Sequence, residues 1–60
     1  MTKLIFKTEE DLMDYIKVIR RLNLEIRLNS LIGEFDEPEL ILAEHAFHAE
    51  IIKKIPAGNG

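Results

Sequence analysis

"LNLEIRLN" (Leu22–Asn29) is the stretch that decides the fold. Leu22, Leu24, Ile26 and Leu28 alternate with Asn23, Glu25, Arg27 and Asn29. The segment before it, "TEEDLMDYIKVIRRL" (Thr8–Leu22), keeps a different rhythm. There Leu12, Tyr15, Ile16, Ile19 and Leu22 recur three and four residues apart and line one stripe of a helix. If that helix ran on, Leu24 and Leu28 would fall on the face opposite Ile19 and Leu22. A period of two explains the later residues and a period of 3.6 does not, so the spacing predicts a helix that gives way to a strand.

The helix has a start signal. Thr8 is placed to cap it, with Asp11 three residues on. Glu9, Glu10, Asp11 and Asp14 gather near the beginning, and Lys17, Arg20 and Arg21 near the end, matching the helix dipole. Upstream, "KLIFK" (Lys3–Lys7) is a short apolar run suited to a strand.

Downstream, "NSLIGEFD" suggests a return strand. With Asn29-Ser30 as a two-residue turn, Leu28 opposes Leu31, Ile26 opposes Gly33 and Leu24 opposes Phe35, all on one face. That register also sets Glu25 against Glu34, a like-charge pair. "DEPELILAEHAFHAEIIKKIP" then reads as a second helix reaching Ile55. Asp36 caps it, Glu39 completes a capping box, Phe35 and Leu40 form a hydrophobic staple, and Pro56 stops it. Leu40, Ala43, Phe47 and Ile51 mark its core face.

The expected architecture is therefore an α+β, two-layer β-α-β-β-α domain, a three-stranded sheet with both helices on one face. Residues 1–55 form a single globular domain and 56–60 a flexible tail. The rival is an all-α helical hairpin forming a dimeric bundle, with Gly33 ending the first helix.

Composition narrows the function. A 60-residue chain buries only about 60% of the surface its unfolded form exposes. Cysteine is absent, so neither a disulfide nor a thiolate metal site can supplement the core. Good packing, self-association or a histidine/carboxylate metal site remain. A net charge of −3 disfavours nucleic-acid phosphate and anionic membrane as partners. No apolar run is long enough to span a bilayer, and the N-terminus lacks the pattern of a signal peptide, so a cytoplasmic location is expected.

Three candidate sites follow. The first is a protein interface. Ile5 and Ile32 would point to the outer face of the sheet, while Ile41, His45, His48 and Ile52 would form a strip beside the core face of the second helix. The second is a zinc site from Glu44, His45 and His48. Its ligand set is incomplete, and the HExxH pattern is missing. The third is a phosphate contact from Lys17, Arg20 and Arg21, which dipole matching explains as well.

No catalytic arrangement or phosphate loop is present in the sequence, and no cofactor is expected. The reading that results is a non-enzymatic protein-protein interaction module. It would be a homodimer that also binds an unidentified protein, as an inhibitor, antitoxin-like protein or adaptor, including phage- or plasmid-encoded ones. Zinc binding and nucleic-acid regulation are the alternatives.

Overall fold

The computed structural model describes residues 1–21 and 23–53. The elements run β1 (Thr2–Ile5), α1 (Glu9–Ile19), β2 (Glu25–Arg27), β3 (Ser30–Gly33), α2 (Glu37–Ala46) and β4 (Glu50–Ile52). The strands form one antiparallel sheet in the order β2-β3-β1-β4. The α+β class is the one expected, but the sheet has four strands where three were predicted. Leu22, Lys54, the stop at Pro56 and the 56–60 tail lie outside the described residues.

β3 separates β1 from β2, and β1 separates β3 from β4. Because every neighbouring pair is antiparallel, β1 is parallel to β2 and β3 to β4. Each parallel pair is joined through a helix. The result is two interlocked split β-α-β units, the ferredoxin-like topology, which constrains architecture but not activity.

α1 starts as its sequence dictates. The Thr8 hydroxyl accepts a hydrogen bond from the Asp11 N–H at 3.0 Å. Leu12 and Tyr15 are buried, with Ile16 and Ile19 packed beside them. The helix ends at Arg20, which takes a left-handed φ of 57°. α2 also begins as expected. The Glu39 carboxylate accepts from the Asp36 N–H at 2.8 Å, and Leu40 is buried.

The end of α2 differs from expectation. Phe47 and Ala49 both donate their N–H to the Ala43 carbonyl, at 3.3 and 2.9 Å. His48 between them takes φ 56°. Histidine is among the residues that enter the left-handed region more readily than most. This turn aims the chain back along β1, where Leu4 faces Ile51. Residues 50–52 are thus an edge strand and not the last turn of a helix.

The hairpin is also displaced. Ile26 opposes Leu31 and Arg27 opposes Ser30, so the two loop residues are Leu28 and Asn29, not Asn29 and Ser30. Asn29 is held from outside the hairpin. Its carbonyl accepts from the Phe6 N–H at 2.8 Å, and its side-chain amide donates to the Phe6 carbonyl. Leu28 is left with φ 57° and is 79% exposed. The predicted Glu25–Glu34 clash does not arise, because Glu25 faces Ile32. Leu24 instead lies over the bare backbone of Gly33, where a Cβ would collide with its side chain.

The core lies between the helices and one face of the sheet. Leu4, Phe6, Leu12, Tyr15 and Leu31 are almost fully buried. Tyr15 sits at its centre, with its ring centroid 5.1 Å from Phe6 and 5.5 Å from Phe47. Such tilted and edge-on aromatic pairs are favourable beyond the area they bury.

Candidate interaction surfaces

The strand alternation that buries Leu4 and Leu31 turns their neighbours outward. One outward row runs Glu25, Ile32, Lys3, Ile52, and the next runs Arg27, Ser30, Ile5, Glu50. Ile5, Ile32 and Ile52 are half-buried by their neighbours, and among the described residues no second layer covers them. Ile5 stands diagonally between the other two. The three isoleucines thus share this face with Lys3 and Ser30 between them and with Glu25, Arg27 and Glu50 at its margins. The sequence placed Ile5 and Ile32 on this face but assigned Ile52 to the second helix. The short alternation Ala49, Glu50, Ile51, Ile52 was the missed signal.

The strip expected on the second helix does not exist as one surface. Ile41, Glu44 and His45 are exposed on α2. His48 lies beyond the helix in its left-handed turn, and Ile52 belongs to the sheet. The alternative zinc reading required Glu44, His45 and His48 to lie together. Among the described residues, no group of three or more histidine, cysteine, aspartate or glutamate side chains is gathered as a metal site would require.

The basic cluster is likewise divided. Lys17 is exposed near the end of α1, and Arg20 forms the helix cap. Arg21 turns inward. Its guanidinium donates to the Glu39 carboxylate at 2.8 Å and lies 5.8 Å from the centre of the Phe35 ring. The same carboxylate caps α2, so Arg21 ties the end of the first helix to the start of the second.

Tyr15 makes a second tie. Its hydroxyl donates to the Glu39 carbonyl at 2.8 Å. Burial pushes its pKa up to about 12, with the Glu39 charge adding to the rise and Arg21 opposing it. Among the described residues no buried side-chain nitrogen or oxygen is without a partner, and no cavity fit for a small ligand opens. No helix among them is long and apolar enough to cross a membrane.

Exposed apolar residues lie both where the sequence placed them, as Ile41, and where it did not, as Leu28. Leu24, Ile26 and Leu28 were all expected to face the core. Ile26 does lie on the inner face, opposite Leu31, yet is 51% exposed because β2 is the outermost strand. Met13 on α1 and Ile41 on α2 are also about half exposed. Comparison of the chain with protein-family models, curated proteins and solved structures gives no match.

Proposed function

We propose that this chain is a small protein-protein interaction module with no catalytic chemistry of its own. It works as a homodimer and offers the open face of its sheet to a second protein, in the way of a small inhibitor, antitoxin-like protein or adaptor. The observation that carries this reading is the apolar surface left in water. Met13, Ile26, Leu28 and Ile41 are all exposed in a chain whose core is small. A second copy would cover part of that surface and add the burial that a 60-residue domain lacks.

Sedimentation equilibrium tests the dimer. A particle of twice the 7.0 kDa chain mass is expected at about 100 μM, where a micromolar Kd leaves most chains paired. A particle of 7.0 kDa at that concentration ends the homodimer reading. Capture from the native host tests the open face. A protein held by the wild type and lost with Ile5→Lys/Ile32→Lys supports it, while an unchanged set of captured proteins removes that face from the proposal.

A further inference from the structure

The seven residues from Asn23 to Asn29 read Asn-Leu-Glu-Ile-Arg-Leu-Asn. Turned end for end about Ile26, the segment repeats itself in size and polarity. The single change is that Glu25 and Arg27 exchange places, so the reversed copy carries the opposite charge at each position. This self-complementary segment contains β2, an edge strand of the sheet with no further neighbour among the described residues.

The backbone suits the same symmetry. The two-residue loop closes on Arg27 and Ser30, which face each other across the hairpin. With Arg27 and Ser30 as the hydrogen-bonded pair, the antiparallel alternation turns the N–H and C=O of Ile26 away from β3. The unpaired backbone groups therefore sit at the residue about which the sequence is symmetric.

We infer that two copies of this chain pair through β2, antiparallel and two-fold about Ile26, joining two four-stranded sheets into one of eight. This rests on the homodimer reading above and names its surface. Each Ile26 exchanges both backbone hydrogen bonds with the other Ile26. On the outer side, Glu25 of each copy meets Arg27 of the other at both ends of the strand. On the inner side, Ile26 packs on Ile26, and Leu28 meets Leu24 of the second copy.

Several observations favour this edge. Ile26 and Leu28 are both large apolar side chains left exposed, Leu28 more than any other among the described residues. Met13 on α1 is exposed as well. Tyr15 points to α2 through its hydroxyl bond to Glu39, and Met13 lies about 200° round the helix from it, on the side of α1 away from that contact. Glu25 and Arg27 already share one side of the strand, where they pair with each other at 2.5 Å. That pair is exposed, so its members can change partners at little cost.

The other free edge lacks this property. β4 reads Glu50-Ile51-Ile52, and reversal about Ile51 sets Glu50 against Ile52 with no charge partner. The charges on β2 thus serve two ends. They discourage pairing with unmatched strands and admit the matched one, a second copy of this chain.

Charge reversal tests the register. Glu25→Arg makes the edge Arg-Ile-Arg, and Arg27→Glu makes it Glu-Ile-Glu, so each variant repels itself at two positions. Each should raise the dimer Kd at least ~10-fold, read by sedimentation equilibrium. The double variant Glu25→Arg/Arg27→Glu is again self-complementary and should dimerise within ~3-fold of the wild type. An equimolar mixture of the two single variants should form a heterodimer. Circular dichroism melts confirm that each variant is folded, which is expected because both side chains are exposed.

A wild-type dimer whose Kd is unmoved by the single reversals, or is not restored by the double one, overturns this register and leaves the homodimer reading standing. A wild-type monomer overturns both.

Discussion

The centre around Tyr15 and the hairpin around Ile26 are built from similar material. Both carry large apolar residues spaced correctly for their element. Tyr15, Phe6 and Leu12 are almost wholly buried, whereas Ile26 and Leu28 are 51% and 79% exposed. The difference lies in what stands above and beside them. Tyr15 has the sheet below and α2 at its side, and its hydroxyl reaches Glu39. Ile26 has β3 on one side and, among the described residues, no strand on the other. Apolar pattern selects a face, but only the neighbouring element determines whether that face is dry.

The sharpest way to break this comparison is truncation on each side of it. Phe6→Ala removes a ring in contact with Tyr15 and Phe47 and should cost about 3–5 kcal/mol of unfolding free energy, enough to unfold most chains of this size. Ile26→Thr keeps the β-branch at an edge position and should cost less than ~0.5 kcal/mol in dilute solution. Urea melts measure both. Equal losses would show that the hairpin is as integral to the folded chain as the aromatic centre.

A smaller effect comes from the Tyr15 hydroxyl. Its pKa rises from 10.0 to about 12, first through burial and then through Glu39, with Arg21 opposing. The folded chain thus keeps its proton where the unfolded chain has lost it. The associated stability is whole below pH 10 and is lost as pH climbs towards 12. Tyr15→Phe has no such proton. It should cost about 1 kcal/mol at neutral pH through the lost hydrogen bond, yet show a flatter decline across the alkaline range. Parallel decline of the two chains would mean that other groups govern it.

The smallest effect lies in the loop. Leu28 holds φ 57°, a conformation that asparagine adopts more cheaply than leucine. Leu28→Asn should therefore stabilise the monomer by about 0.5–1 kcal/mol, seen as a raised Tm at low protein concentration. It should at the same time weaken self-association, because it removes the apolar contact with Leu24 of the second copy. A lowered Tm would show that Leu28 packs more usefully than its exposure implies.

The same contrast explains what the sequence revealed. α1 was legible because Thr8, the acidic first turn and the Leu12-Tyr15-Ile16-Ile19 stripe all say the same thing. The period change at Leu22 correctly announced the sheet. The end of α2 was not legible, because Phe47 and Ile51 are four apart and fit a continuing helix as well as a break. What stops the helix is His48 in a left-handed turn, a role that glycine would have advertised. The loop was misplaced for a like reason. Its left-handed residue is Leu28, while Asn29, the better turn residue by type, is fixed by its two hydrogen bonds to Phe6. Of the open face, Ile5 and Ile32 could be read from strand alternation, but Ile52 could not be placed there until β4 was known.

The interlocking of the two split units bears on how the chain is made. Leu4 is flanked in the sheet by Leu31 and Ile51, so β1 finds its neighbours only in strands made well after it. A ribosome-bound fragment ending before β4 would leave one side of β1 bare, and contacts this distant slow the search for the folded state. Pairing of β1 with β3 must therefore wait until α1 and the hairpin have been made, and β4 adds to the far side of β1 only after α2.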